Sequence, residues 1–321
     1  MTSNGPLPPS TATPAGSPAS LLLDVQDLSV EFDTARGLLR AVDGISLEIR
    51  HGECLGIVGE SGSGKSVAAR AVMGLLPPTS RSQGRVLFEG ADLLDLDATA
   101  RRRLLGASIS MVFQDPMTAL NPVVRVGRQV GEALRFHSSS DRKKVNAASL
   151  AMMRRVGIPD AEARWRAYPF ELSGGMRQRI CIAAALVCGP KLLVADEPTT
   201  ALDVTIQRQI LDVLSEMGQG GMSMLLITHN LGVAAARTQR IAVMYSGRVV
   251  EQAPTPELFR SPRHPYTVGL MRSMPRLDDA PHKRLVAIPG RQVRSTRPTQ
   301  GCRFADRCLL AQPRCLARNQ V

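Results

Sequence analysis

The chain has 321 residues, of which 44% are hydrophobic and only 3% aromatic, and its formal net charge is +12. This hydrophobic content supports a buried core filled mainly by aliphatic side chains. No apolar run approaches the roughly 20 residues that cross a bilayer as a helix. The composition therefore argues against an integral membrane protein and predicts a cytosolic chain that could still dock on one.

The N-terminal part begins with a polar segment and then turns to predicted strands. Its first 20 residues are mostly Pro, Ser, Thr, Ala and Gly, without the basic start and apolar stretch of a signal peptide, and are predicted to be a disordered tail. Strands are predicted over Leu22–Phe32 and Ala41–Ile49. The apolar run Glu53–Val58 then leads through a glycine-rich loop into a predicted helix, Lys65–Leu76, which two prolines end.

The glycine-rich loop matches the phosphate-binding pattern GxxxxGK[S/T] in full, between a predicted strand and a predicted helix. Glycines let backbone N–H groups curve around phosphates, and the helix N-terminus adds partial positive charge. Lys65 can reach the β- and γ-phosphates, and the Ser66 hydroxyl can ligate Mg²⁺. A chance turn rich in glycine and serine is the alternative. The predicted nucleotide-binding residues are Gly59, Glu60, Ser61, Gly62, Ser63, Gly64, Lys65 and Ser66.

The middle of the chain combines a short strand with a long helical segment. After a strand predicted over Arg85–Phe88, the apolar run Ile109–Phe113 is followed by Gln114, and residues 121–167 are mostly helical in composition. The helical residues are predicted to form a separate lobe. The Gln114 amide could ligate Mg²⁺ or position a water, although its spacing alone does not decide this.

Two acidic residues follow the apolar run Leu192–Ala195, which is typical of a buried parallel strand. Ligands bind at the carboxyl ends of such strands in open α/β sheets. Asp196 can hold Mg²⁺ and Glu197 can polarise an attacking water, with a solvated strand end as the alternative. His229 follows the strand predicted at Met224–Ile227 and could contact the γ-phosphate and orient Glu197, or be a surface or capping residue.

The last third begins with a predicted hairpin, Arg240–Tyr245 and Arg248–Glu251, around Ser246-Gly247. Beyond Pro254 the chain is rich in Pro and Arg, which predicts a small appendage. Residues 256–321 contain 13 basic and four acidic residues, a net charge of +9. Such a segment could suit nucleic acid or anionic lipid, or could be a solvated basic face.

A further motif, LSGGMRQR, stands before the apolar run Ile180–Val187. Its first residues are Leu172, Ser173, Gly174, Gly175 and Met176. Ser173 and the glycines could offer a hydroxyl and N–H groups to an anion, or Ser173 could be an ordinary N-cap. This octet resembles the signature motif of ABC transporters. With the phosphate loop and the Asp-Glu pair, it makes residues 22–252 similar to the nucleotide-binding subunit of these transporters.

The resemblance implies an α/β fold: an ABC-type P-loop NTPase core with an antiparallel β subdomain, an inserted helical subdomain and a small C-terminal extension. The implied divisions are a disordered tail at 1–20, a nucleotide-binding domain at 21–255 with its helical subdomain at about 115–172, and the extension at 256–321. The implied cofactors are ATP and Mg²⁺, with the metal on Ser66, Gln114 and Asp196.

Individual roles also follow from the resemblance. Glu197, His229 (the switch histidine) and Gln114 (the Q-loop) are the implied catalytic residues. Asp203 belongs to the D-loop, and Phe32 occupies the place of an aromatic that stacks on adenine. The signature is expected to face the ATP bound by a second subunit.

A narrower resemblance is to the ATPases of oligopeptide and dipeptide importers. It rests on FQDPMTALNP at 113–122, the Met176 form of the signature, SPRHPYT at 261–267, IPG at 288–290 and GCRFADRC at 301–308. It implies ATP hydrolysis that energises import of di- or oligopeptides; close relatives carry nickel or other small solutes. The implied partners are two permease subunits, a second ATPase (identical or a paralogue) and, indirectly, an extracytoplasmic peptide-binding protein. The implied location is peripheral, at the cytoplasmic face of the cell membrane.

The six cysteines fall into two groups. Cys54, Cys181 and Cys188 lie in apolar segments and are predicted to be core residues. Cys302, Cys308 and Cys315 are spaced CX5CX6C, which is not zinc-finger spacing. In some members of the importer family the matching cysteines, with a fourth, hold an iron–sulfur cluster. Free, partly buried thiols are the alternative, because these three residues are not followed by a fourth cysteine.

Parts of the sequence are also compatible with two other classes of function. A soluble ABC-type ATPase acting on nucleic acid or the ribosome is suggested by the basic tail, but such proteins usually carry two nucleotide domains or a long coiled coil. A nucleotide-binding regulator without activity is disfavoured by Glu197, because a module that only binds has no need of this base.

Overall fold

The computed structural model describes residues 21–35, 37–138, 141–200, 202–274, 287–290 and 301–317. The tail predicted to be disordered, residues 1–20, lies outside these ranges. Within them no helix combines the length and the apolar character that a membrane crossing requires.

The strands follow one another as β1 (Leu21–Thr34), β2 (Gly37–Arg50), β3 (Cys54–Val58), β4 (Ser80–Phe88), β5 (Ala91–Asp92), β6 (Ile109–Val112), β7 (Leu192–Asp196), β8 (Ser223–Thr228), β9 (Arg240–Tyr245) and β10 (Arg248–Pro254). The helices are α1 (Lys65–Val72), α2 (Ala98–Leu104), α3 (Pro116–Ala119), α4 (Val126–Val130), α5 (Glu132–His137), α6 (Arg142–Arg155), α7 (Ala161–Trp165), α8 (Gly174–Leu186), α9 (Val204–Gln219), α10 (Leu231–Arg237), α11 (Thr255–Arg260), α12 (Pro265–Arg272) and α13 (Pro313–Ala317). Short 3₁₀ turns cover Pro169–Glu171 and Ala305–Arg307.

A mixed sheet of six strands forms the centre, in the order β10-β9-β3-β8-β7-β6. The pairs from β9 to β6 are parallel, and β10 joins β9 as an antiparallel hairpin. Every residue of β3, β7 and β8 is buried, as the continuous apolar runs predict for strands covered on both faces. Their carboxyl ends therefore meet at one edge, where ligands bind in open α/β sheets.

A second, antiparallel sheet precedes and flanks the central one, in the order β2-β1-β4-β5. The strands predicted near its start are confirmed and run longer than predicted. Leu23, Val25 and Leu28 of β1 are almost fully buried and belong to the same apolar core as α1. Helix α1 packs against strands of both sheets, which fixes the phosphate loop before it.

The helical segment lies between β6 and α8 in the chain and packs on α8. Val126, Val130 and Met153 are fully buried, and they share a core with Ile180 and Leu214. Helix α8 contacts α3, α4 and α6 on one side and β6 on the other. It therefore joins the helical subdomain to the central sheet.

The C-terminal extension packs on the hairpin side of the central sheet. Tyr245 of β9, Tyr266 of α12 and Phe304 form an aromatic group with ring centroids 4.6–5.4 Å apart. All three side chains are buried. This contact places residues 301–317 close to the edge of the sheet that carries the phosphate loop.

One predicted helix boundary was wrong. Helix α1 ends at Val72 and not at Leu76, because Gly74 takes a left-handed conformation (φ 63°) that terminates the helix before the two prolines. Helix α8 begins at Gly174, and the Ser173 hydroxyl caps it, as an N-cap does. The signature glycines thus form its first turn.

Candidate nucleotide-binding site

The phosphate loop occupies the turn between β3 and α1. Gly64 has φ 103°, and a Cβ there would lie 2.4 Å from the Ala41 carbonyl oxygen. A Cβ at Gly59 would lie 2.1 Å from the Met244 carbonyl oxygen. Backbone from β2 and β9 therefore closes on the loop so tightly that only glycine fits at these two positions.

A cavity of about 250 Å³ opens at this loop. It is lined by the phosphate loop and α1, by the residues that follow β6 and β7, and by segments from β2 and from the turn after β9: Leu39, Arg40, Ala41, Ser61, Gly62, Gly64, Lys65, Ser66, Val67, Gln114, Glu197, Ser246 and Gly247. The predicted catalytic residues Gln114 and Glu197 thus share one cavity with the loop.

Lys65 is the main positive group of this cavity. Its side chain is 4% exposed, and its Nζ donates to the carbonyl oxygens of Gly59 and Glu60, both at 2.9 Å. Burial lowers the pKa of Lys65, although the nearby carboxylates of Glu197 and Asp196 act in the opposite direction. An ammonium bonded only to neutral carbonyls is suited to transfer to a phosphate oxygen.

Asp196 and Ser66 form a pair that fits a magnesium ion. Asp196 is fully buried, and its Oδ1 accepts a hydrogen bond of 2.9 Å from the Ser66 hydroxyl. Its Oδ2 has no hydrogen-bond partner within the described ranges, and burial raises the pKa of the Asp196 carboxyl. An unpaired buried carboxylate oxygen beside a serine hydroxyl matches Mg²⁺, which binds one or two carboxylates together with substrate phosphates.

Gln114, Thr200 and His229 converge on one carboxylate oxygen of Glu197. Oε2 of Glu197 lies 3.2 Å from Nε2 of Gln114, 2.9 Å from Oγ1 of Thr200 and 3.2 Å from Nδ1 of His229. These residues follow β6, β7 and β8, which are neighbours in the sheet. The arrangement can hold a carboxylate in a fixed orientation beside the phosphate loop, as a general base for a water requires. Thr200 is a contact that the sequence did not indicate.

The signature residues lie outside this cavity. Ser173, Gly174 and Gly175 are at the solvent-facing start of α8, and the Ser173 hydroxyl accepts a hydrogen bond of 3.3 Å from the Met176 N–H. Leu172 is buried beneath them. Asp203 caps α9 by accepting a hydrogen bond of 2.9 Å from the Ile206 N–H. Ala201, two residues earlier, lies outside the described ranges. The phosphate loop and the start of α8 are therefore two separate surfaces of one chain, each with backbone N–H groups at a helix N-terminus that could bind an anion.

Phe32, the predicted adenine contact, packs partly buried against the core of the antiparallel sheet. Its cross-strand neighbour Leu39 lines the cavity instead. Arg40, Ser246 and Gly247 also line it and were not predicted. Ser246-Gly247 was recognised only as a hairpin turn, and the parallel pairing of β9 with β3 is what brings this turn to the phosphate loop.

The cysteines of the described chain are all free thiols. Burial raises the pKa of Cys54 and of Cys181 to about 12, so both behave as inert core residues. Cys302 and Cys315 are joined through a backbone hydrogen bond of 2.7 Å. Within the described ranges, no three Cys, His, Asp or Glu side chains are grouped so that they could hold a metal ion.

Two family models match the chain. The model described as ABC transporter matches residues 42–200, and the one described as oligopeptide/dipeptide transporter, C-terminal region, matches residues 250–315. The first match includes the phosphate loop, Gln114 and Glu197, and the second includes most of the C-terminal extension.

Curated relatives align over almost the whole chain. The dipeptide transport ATP-binding protein DppD of Bacillus subtilis is 50% identical over 290 residues, 89% of this chain and 86% of that protein. The oligopeptide transport ATP-binding protein OppD of Salmonella typhimurium is 46% identical over 306 residues, 95% of this chain and 91% of that protein.

Solved structures agree with the fold. The dimeric structure of MJ0796, a bacterial ABC transporter cassette, has a TM-score of 0.67 at 26% identity and covers 73% of this chain and 99% of that chain. CbiO1 of Clostridium perfringens, part of the ABC transporter complex cbiONQ, has a TM-score of 0.62 at 29% identity over 75% of this chain and 91% of that chain.

Proposed function

The chain belongs to the ATP-binding subunits of ABC transporters, and from this premise we propose that it hydrolyses ATP to energise the import of di- or oligopeptides. The observation that carries the ATPase activity is the convergence of Gln114, Thr200 and His229 on Glu197 beside the phosphate loop. The peptide substrate is supported by the relatives named dipeptide and oligopeptide transport ATP-binding proteins, and by the match of residues 250–315.

In the proposed reaction the phosphate loop binds the ATP phosphates through its backbone N–H groups and Lys65. Ser66 and Asp196 would hold Mg²⁺, assisted by Gln114, and the ion would neutralise charge on the β- and γ-phosphates. Glu197 accepts a proton from the attacking water while Gln114, Thr200 and His229 keep its carboxylate in place. Phosphoryl transfer depends mainly on such positioning and charge stabilisation.

A second ATPase subunit would complete the site. The exposed Ser173–Gly175 turn opens a helix of 13 residues, and backbone N–H groups at such an end attract anions. Because this turn lies outside the cavity of its own chain, we propose that it binds the γ-phosphate held by a partner ATPase. The dimeric structure of the MJ0796 cassette supports two cassettes acting together. Closure on ATP and reopening after hydrolysis would then supply the transport movement.

The permease is proposed to dock in an apolar groove of about 290 Å³ beside Gln114. Leu75 and Phe113 line it and are 40% and 39% exposed, with Leu120 and Cys181 deeper in the wall. Such a groove suits an apolar segment of a partner protein. Since Phe113 adjoins Gln114, a movement of the site would reach the permease directly. The chain would thus act peripherally at the cytoplasmic face of the membrane.

Reconstitution tests this function. The chain would be purified with its two permease subunits, inserted into proteoliposomes and supplied with the extracytoplasmic binding protein. We expect ATP-dependent uptake of a labelled di- or oligopeptide, and no uptake when the complex carries Glu197→Gln. Uptake of nickel without uptake of peptide would overturn the substrate, and peptide uptake by the Glu197→Gln complex at the normal rate would overturn the mechanism.

A further inference from the structure

The second residue of the phosphate loop, Glu60, is held by the C-terminal extension. Its backbone N–H donates to the Tyr266 hydroxyl oxygen at 2.8 Å, across 206 positions of sequence. Its carboxylate accepts two hydrogen bonds from Arg307, of 2.7 Å from Nη1 and 3.0 Å from Nη2, across 247 positions. A paired guanidinium–carboxylate contact of this kind is both strong and directional. The loop therefore has contacts outside the domain that forms it.

Both anchoring side chains are themselves fixed. Tyr266 is fully buried in the aromatic group with Tyr245 and Phe304. Arg307 is 8% exposed, its Nε donates to the Pro289 carbonyl oxygen at 2.7 Å, and its guanidinium lies 5.7 Å from the Tyr245 ring centroid. A buried guanidinium with this many partners has little freedom to follow a moving loop.

Glu60 also contacts the phosphate-binding lysine. Its carbonyl oxygen accepts from Lys65 Nζ at 2.9 Å, so the same residue joins the extension to the ammonium that would bind the nucleotide. A parallel connection runs through Arg303, which donates to Asp43 at 2.5 Å and to the Ser246 carbonyl oxygen. The adjoining Gly247 N–H donates to the Ser63 carbonyl oxygen of the loop at 2.8 Å.

We propose that the C-terminal extension positions the phosphate loop for nucleotide, with Tyr266 and Arg307 acting through Glu60. This inference rests on the ATP-binding role proposed above. The two residues are positioning residues, because they contact the back of the loop and not the cavity. Their loss should weaken ATP binding far more than the hydrolysis step, since Glu197 and its three contacts lie elsewhere.

The test measures binding of a fluorescent ATP analogue with Mg²⁺ to the full chain. The variants are Glu60→Gln, Arg307→Met and the double variant, and Arg314→Met, an exposed arginine of the same extension, is the matched control. Each single variant should bind about tenfold more weakly, as loss of a hydrogen bond to a charged group suggests. The double variant should bind like either single one, because both remove the same interaction. Arg314→Met should bind like the wild type.

Turnover kinetics separate positioning from general stability. In the assembled transporter Arg307→Met should raise KM for ATP by a similar factor while kcat changes by less than about twofold. Arg307→Lys should lie between wild type and Arg307→Met, because it keeps the charge and loses the paired geometry. If Arg307→Met cannot be purified, Tyr266→Phe, which removes only the acceptor oxygen, carries the same expectation.

Three results would overturn the inference: single variants that bind the analogue as tightly as wild type, additive losses in the double variant, or a fall in kcat at unchanged KM. A wild-type chain that binds no ATP analogue would instead overturn the proposed function, and this inference with it. The two failures are thus distinguishable from one set of binding curves.

Discussion

Replacing Glu197 with glutamine tests whether its carboxylate is the proposed base. All the contacts that the described residues make to this carboxylate fall on Oε2: from Gln114 at 3.2 Å, Thr200 at 2.9 Å and His229 at 3.2 Å. The amide oxygen of glutamine can accept from the same position, so the geometry and ATP binding should survive. What is lost is a carboxylate oxygen able to take the proton of the attacking water.

The expected magnitude follows from that loss. General-base catalysis is worth about 10²–10⁴ in rate. At about 1.4 kcal/mol per factor of ten, the barrier should therefore rise by about 3–6 kcal/mol. Phosphate release from the assembled transporter measures the fall in kcat, and a fluorescent ATP analogue measures affinity, which should stay near the wild-type value.

A graded comparison makes the test sharper. Thr200→Val removes one of the three contacts but leaves the carboxylate, so kcat should fall only about fivefold, in line with one net hydrogen bond. A Glu197→Gln variant that releases phosphate at the wild-type rate would refute the assignment of the base. If Thr200→Val lowered kcat as much as Glu197→Gln does, the distinction between residues that hold the carboxylate and the carboxylate that accepts the proton would be refuted.

Four further changes test the surrounding site. Asp196→Asn should abolish Mg²⁺-dependent turnover yet raise the melting temperature of the nucleotide-free protein at neutral pH. Burial raises the pKa of Asp196, so the buried charge destabilises the folded protein above that pKa, and the substitution removes this charge. As the pH falls through the pKa, protonation of Asp196 removes the same charge, and the gain in melting temperature should shrink. Gly64→Ala should abolish binding of the ATP analogue, because its Cβ would lie 2.4 Å from a backbone oxygen, whereas Gly218→Ala, with open space and an ordinary φ, should bind normally and melt no lower than wild type. Phe113→Asp should prevent copurification of the permease while ATP affinity stays unchanged, as measured by pull-down and by the fluorescent analogue. Ser173→Ala should lower turnover of the assembled transporter without weakening ATP binding to the single chain; unchanged turnover would contradict the role of a partner's signature.

The functional residues that can be recognised from sequence are those whose motif occupies a few consecutive positions. The phosphate loop, the Asp196–Glu197 pair and the apolar strands each occupy a few consecutive positions, and all appear where they were predicted. A continuous hydrophobic run predicts a strand that is buried on both faces, because every side chain of such a strand lies in an apolar environment. Spacing alone did not decide the roles of Gln114 and His229, since each reaches Glu197 only because its strand lies beside β7 in the sheet.

The remaining geometry depends on strand order, which local patterns do not encode. Strand β6 pairs with β7 although the whole helical subdomain separates them in sequence. Only this pairing brings Gln114 to Glu197. The contact between Glu60 and Arg307 spans 247 positions, and nothing in either segment predicts that it faces the other. Sequence reasoning could place the loop but not the groups that hold it.

The turn that carries Glu197 is bonded to β8 on one side and to α8 on the other. Glu197 has φ 47°, a left-handed conformation that is costly for a residue with a side chain, so the surrounding structure must impose it. On one side its N–H donates to the Ile227 carbonyl oxygen of β8 at 2.9 Å. On the other side the next carbonyl, that of Pro198, accepts a 2.6 Å hydrogen bond from Gln178, which is buried in α8. Since α8 begins directly after Ser173, the signature turn and the turn that holds Glu197 are joined through the first two turns of one helix.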